Sequence, residues 1–361
     1  MLTTNFFDRT VVQELKNLDD TRRRSLIQQL WPDAIDDRGI VDNFSCKAYF
    51  EYLANELDQL RHYRHLFAAQ SFESTFGIIK TLRDKNTTTY AEILDSLGNH
   101  YPDASRDALR RSVELSLRMW LTVNVHHSDI YTGPIAAGDQ PLDWAQDECL
   151  EQLFRGKFGR NVHLQRQRTT AKFDTALTAA YLVGTCGMRL HWTDDLAAHL
   201  GYDSNRRVLT VYRHKACLLN HADYHRGCPI PRDVLEEALE TMDLLFPPWD
   251  NPTKQLLVRE KQQSLFRLGC RRPVRTFDIA HYQYFGGSLE HIIESFDKTP
   301  RTWKQLAFDR RNKLEWSAFW MTVFVAVLTL VSIPCNIIQA TYSVKAYNLA
   351  VAQGRNSLAF P

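Results

Sequence analysis

From Ser317 to Val344 the chain carries no Asp, Glu, Lys or Arg, and this run constrains everything around it. So long an apolar stretch must be taken up by a protein core or by lipid, and crossing a bilayer takes about 20 mostly apolar helical residues. The densest part, Trp316 to Ile338, meets that length. Core helices rarely run so far without a charge, so the reading is one transmembrane helix over 316–338. Pro334, Asn336 and Gln339 weaken its far end, where a kink or an exit from the bilayer is expected. Trp316 and Trp320 on one side and Tyr342 on the other suit the aromatic belts of the two interfaces.

The flanks are unequal. A juxtamembrane segment, 298–315, holds Lys298, Arg301, Lys304, Arg310, Arg311 and Lys313 against Asp309 and Glu315, whereas only Lys345 and Arg355 follow the span. The positive-inside rule then places the large N-terminal part in the cytosol and 339–361 across the membrane as a short tail. The opening Met-Leu-Thr-Thr-Asn-Phe-Phe-Asp-Arg has neither a basic n-region nor an apolar h-region. A late span without a signal peptide is the pattern of a tail-anchored protein; the flanking charges fit the endoplasmic reticulum and the mitochondrial outer membrane equally. Seven cysteines without a C-x-x-C pair do not form a secreted disulfide framework and suit reducing cytosol.

The rest reads as an ordinary folded protein. Lys+Arg 44 against Asp+Glu 42 leaves a net charge of +2, which excludes a chain that binds polyanions by overall charge. The expected fold is mostly α with small two-stranded β elements, winged-helix-like packing being one form, followed by the transmembrane helix. Residues 1–85 form an N-terminal helical region and 86–297 a helical core region, with a candidate sub-boundary in the Gly/Pro loop 131–141. Thr89-Tyr-Ala-Glu92 predicts a capping box. Phe173 to Val183 reads as helix, Met188 to Trp192 as a strand, Thr193 to Leu200 as a short helix, and Val208 to Tyr212 as a strand pairing with the first. Pro231 to Phe246 and Thr253 to Leu268 read as further helices.

Few residues point to chemistry. On a helix Cys217, His221 and His225 share a face, with Cys228 one turn on; two thiolates and two imidazoles suit tetrahedral zinc, provided the helix continues to His225. The plainer reading is a helix end with partly exposed histidines. Thr193-Asp194-Asp195 reads as an N-cap with two acids in the first turn, rather than as a catalytic carboxylate pair. Walker A, G-x-G-x-x-G, G-x-S-x-G and H-E-x-x-H motifs are absent. Two basic stretches, Arg155, Lys157, Arg160, Arg166 and Arg168, then Arg271 and Arg272, are candidate anion-binding loops, as is the juxtamembrane segment. Beside a bilayer each basic residue contributes about 1 kcal/mol with anionic headgroups. Nucleic acid is the weaker alternative, through a helix–turn–helix at 89–119 with Arg106, Arg110 and Arg111 on its second helix.

Four stretches carry a resemblance: Arg111 to Val125; Gly187 to Leu200 leading into Leu209-Thr-Val-Tyr-Arg-His214; Leu235 to Pro247; and Phe308-Asp-Arg-Arg-Asn312 with Trp316 and Phe319-Trp320. Together these resemble a large family of uncharacterised, membrane-anchored proteins of filamentous fungi. The resemblance implies a soluble part with a C-terminal anchor and a fungal source, and brings no activity, cofactor or catalytic residue. The reading is therefore an interaction module or scaffold on a cytosolic membrane surface with an unknown protein partner. The rivals are a membrane-tethered DNA-binding regulator and an enzyme with an unrecognised, zinc-dependent site.

Overall fold

The computed structural model describes residues 2–32, 46–127, 141–159, 172–271, 275–297 and 313–357. The chain divides into two units, Met1–Asp297 and Lys298–Pro361. The expected loop at 131–141 falls almost wholly outside the described residues.

The first unit begins with three helices, α1 (Arg9–Lys16), α2 (Asp20–Leu30) and α3 (Lys47–Leu60). Each buries one stripe, such as Phe50, Leu53, Leu57 and Leu60 on α3, and α1 packs on α3. Trp31-Pro32 ends α2, since Pro disfavours helical geometry in the residue before it. Next come α4 (Phe72–Asp84), α5 (Tyr90–His100) and α6 (Arg106–Leu121), where α4 and α5 both pack on α6. The Thr89 hydroxyl accepts from Glu92 N–H and the Glu92 carboxylate accepts from Thr89 N–H, the predicted capping box.

Helix α6 is the centre of the unit, buried without interruption from Ser112 to Leu121. It stops at Thr122, whose φ of 52° is unusual for a β-branched residue. The Thr122 hydroxyl lies 2.5 Å from the Tyr212 hydroxyl, tying that turn to the sheet. Beyond it, β1 (Val125–His126) pairs in parallel with β2 (Leu142–Asp143), and α7 (Leu150–Lys157) follows.

The second half holds α8 (Ala179–Gly184) and a three-stranded sheet of β3 (Arg189–Thr193), β4 (Tyr202–Asp203) and β5 (Val208–Tyr212), in the order β3-β5-β4. The two strands read from sequence pair in parallel, Arg189 opposite Val208 and Thr193 opposite Tyr212. Helices α9 (Lys215–Asp223), α10 (Arg232–Leu245), α11 (Asn251–Arg259), α12 (Ser264–Arg267) and α13 (Gly286–Asp297) complete the unit.

Three local expectations are corrected. Helix α8 covers only the end of 173–183, starting where the Thr178 hydroxyl caps Tyr181 N–H. The helix expected over 253–268 is split by Lys261, at φ 58°. Thr193 closes β3 rather than capping a helix; Asp195 instead caps a short 3-10 turn, Leu196–Ala198.

In the second unit α14 (Lys313–Ser357) is one helix of 45 residues that continues through Pro334. The lost hydrogen bond at one proline does not end a helix whose other backbone groups are paired.

Candidate functional site

Helix α14 contains the stretch Trp316–Val351, 36 residues with a mean hydropathy of 2.2 in its most apolar window and none of that window buried. At 1.5 Å per residue it is longer than a bilayer core about 30 Å thick. The expected anchors lie along it. Trp316 and Trp320 are one turn apart, Trp320 is 45% exposed, and Tyr342 is 68% exposed near the far end with Lys345 Nζ 6.0 Å from its ring. Arg310 and Arg311, and the side chain of Lys313, lie outside the described residues.

The Cys/His cluster is not assembled as the zinc reading requires. Helix α9 ends at Asp223, so His225 leaves the face shared by Cys217 and His221, and its Nε2 donates to Ile230 O at 2.7 Å. His221 is buried, with Nε2 2.9 Å from Trp120 O. A carbonyl only accepts, so Nε2 carries the proton and Nδ1 accepts from the Trp31 indole N–H at 3.3 Å. Burial pulls this imidazole down to about 4 and pushes the Cys228 thiol up to about 12, and Cys217 is raised in the same way. Among the described residues no group of three or more His, Cys, Asp or Glu is placed to hold a metal ion.

His221 and Cys228 instead border a cavity of about 350 Å³ with Trp31, Arg83 and Trp120. The Arg83 guanidinium lies 5.4 Å from the Trp120 ring and donates to Leu30 O at 2.6 Å. The turn after α9 closes against it at Gly227, where φ is +73°. A Cβ there would lie 2.2 Å from Arg83 Cγ and 3.2 Å from Arg83 O. Gly227→Ala is therefore expected to lower stability by about 1–3 kcal/mol through overpacking and backbone strain, read as a lower unfolding midpoint. An unchanged midpoint would show that the turn can move away.

The basic residues divide. Arg155 is exposed and pairs with Glu151 at 2.5 Å, and Lys157 is exposed beside it. Arg271 is engaged within the fold, 2.5 Å from Asp223 and 3.8 Å from Glu236. Arg160, Arg166, Arg168 and Arg272 lie outside the described residues. Arg106 and Arg110 pair with Asp95 and Asp107, and a second helix as buried as α6 has little surface to lay in a DNA groove.

One buried polar cluster was not legible in the sequence. Arg118 on α6 forms a buried ion pair with Glu56 on α3. Beside Glu56 and Tyr52, Asp194 accepts from Arg213 Nε at 2.5 Å and from His214 Nε2 at 2.6 Å. Burial pushes the Asp194 carboxyl up, but the bonds from His214 and Arg213 outweigh it and hold the group at about 2. Burial keeps His214 below the usual histidine value against the pull of Asp194. Tyr49, Tyr52 and Tyr212 pack their rings around the His214 imidazole. The Asp194-Asp195 dyad is thus split: Asp194 holds His214, and Asp195 caps a turn. The cluster joins α3, α6 and the end of the sheet.

Neither a family model, a curated protein nor a solved structure matches the chain.

Proposed function

We propose that the chain is a single-pass membrane protein whose folded unit, residues 1–297, is an interaction module held on the cytosolic face. The observation that supports it is the apolar stretch Trp316–Val351, with none of its most apolar window covered by protein. Burying apolar surface yields about 25 cal/mol per Å², and a bilayer supplies that environment along the helix. The excess of Lys and Arg over 298–315 supports the cytosolic orientation and contact with anionic headgroups. Likeness to the membrane-anchored fungal family is part of this reading. So is a protein partner: His221 and His225, offered for zinc, are instead hydrogen-bonded to the carbonyls of Trp120 and Ile230.

A glycosylation acceptor fused after Pro361 tests the orientation. Modification of the tag is expected for insertion into the endoplasmic reticulum. An unmodified but protease-resistant tag assigns the mitochondrial outer membrane, whose far side does not glycosylate. A protease-sensitive tag on sealed membranes contradicts the span.

A further inference from the structure

A second cleft, of about 480 Å³, lies between the segment leading into α8 and the start of α11, bordered by Thr175, Tyr181, Pro247, Trp249, Asp250 and Arg275. That volume is in the range of small-molecule sites, about 300–1,000 Å³.

Arg275 is fixed in its wall. Its Nη2 donates to Leu177 O at 2.7 Å and to Leu244 O at 2.6 Å, its Nη1 donates to Thr175 O at 3.3 Å, and the guanidinium lies 4.8 Å from the Phe277 ring centre. The Nε–H is buried and has no hydrogen-bond partner among the described residues. The carbonyls of Thr175, Leu177 and Leu244 satisfy N–H groups without neutralising the charge. The nearby acid, Asp250, caps α11, with Oδ2 accepting from Thr253 N–H at 3.0 Å and from the Thr253 hydroxyl at 2.5 Å. A guanidinium oriented in advance by these carbonyls loses little further freedom when a carboxylate arrives.

The lining of the same cleft also offers a flat apolar surface. Trp249 is 55% exposed. It sits in Phe246-Pro-Pro-Trp-Asp-Asn-Pro252, where three prolines and the Asp250 cap restrict the backbone. A stiffly mounted indole is a low-entropy stacking platform. One cation, Arg275, and one carboxylate, Asp250, in the lining favour a monoanion over a dianion such as phosphate. We infer that this cleft binds a small aromatic monocarboxylate, its carboxylate directed to Arg275 and its ring laid on Trp249. The site belongs to the folded unit and does not depend on the membrane reading.

Titrating the full chain in phosphatidylcholine nanodiscs with 2-naphthoate, by calorimetry against empty nanodiscs, tests this. Saturable one-site binding is expected, with the neutral isostere 2-naphthamide weaker by about tenfold or more. Trp249→Ala, at an exposed position, is expected to weaken naphthoate by about tenfold while the near-ultraviolet dichroism of the core is kept. Arg275→Lys retains the charge but loses the planar fork, and is expected to weaken binding as well. Arg275 also joins three backbone segments, so W249A decides alone if R275K loses its tertiary dichroism. No saturable binding at millimolar naphthoate, equal binding of the amide, or full binding by W249A would overturn the assignment.

Discussion

Arg118→Met is expected to cost the folded unit about 3–5 kcal/mol, because it leaves the Glu56 carboxylate buried without its cation. That is a large share of the roughly 5–15 kcal/mol that holds a domain together. The acid can escape by taking a proton. Burial already pushes Glu56 upward against the opposing pull of Arg118, and without the arginine it rises further. The loss should therefore be larger at pH 8 than at pH 5. A double variant, R118M with E56L, removes both charges and should recover most of the loss, since well-packed apolar residues replace buried ion pairs at little cost. Chemical unfolding of the parent, R118M and the double variant at both pH values measures this. A single variant within about 1 kcal/mol of the parent would mean that the pair is not dry.

The second large effect is acid lability. Burial holds His199 down to about 3 and His221 down to about 4, and His214 is lowered too. In the unfolded chain these groups take up protons near pH 6.5, while the folded state refuses them. Stability is thus complete above about pH 6.5 and falls as the pH drops toward 4, by about 4 kcal/mol at pH 5 for His199 and His221 together. Asp194, held at about 2, adds a loss of the same sign below its unfolded value of 3.8. Glu56, Glu114 and Glu237 act oppositely, since burial raises each and protonation then favours the folded state. Arg118 moderates the rise at Glu56, and backbone N–H bonds do so at Glu114 and Glu237. The melting temperature should fall steeply between pH 7.5 and pH 5, and His221→Gln should flatten that slope. Equal melting temperatures at the two pH values would contradict the burial of these neutral imidazoles.

Local signals were legible wherever a short stretch of chain determines the outcome. The Thr89–Glu92 box, the prolines around α10 and the β-branched run of β5 each act within a few residues, and each element formed as read. The α14 helix followed from its lack of charge. Its passage through Pro334 did not, because a proline inside a helix removes one hydrogen bond and can bend the helix without ending it. Long-range partners were not legible, for a different reason. His221 meets Trp31, 190 positions earlier, and Arg118 meets Glu56, 62 positions earlier. Spacing within a segment carries no record of such partners. Arg271 likewise looked like part of a basic patch because Asp223 and Glu236 lie on other elements. Arg275 was one more arginine in that stretch, and nothing local marked the carbonyls of Thr175, Leu177 and Leu244 that hold it.

The most direct test of the central claim, a folded unit tethered by one apolar helix, is alkaline carbonate extraction of two chains expressed side by side. One runs to Pro361 and the other stops at Asp297. The 1–361 chain is expected to stay in the membrane pellet, and the 1–297 chain to be released into the supernatant. Release of the 1–361 chain would contradict a bilayer-spanning helix; retention of the 1–297 chain would place a membrane contact within the folded unit itself.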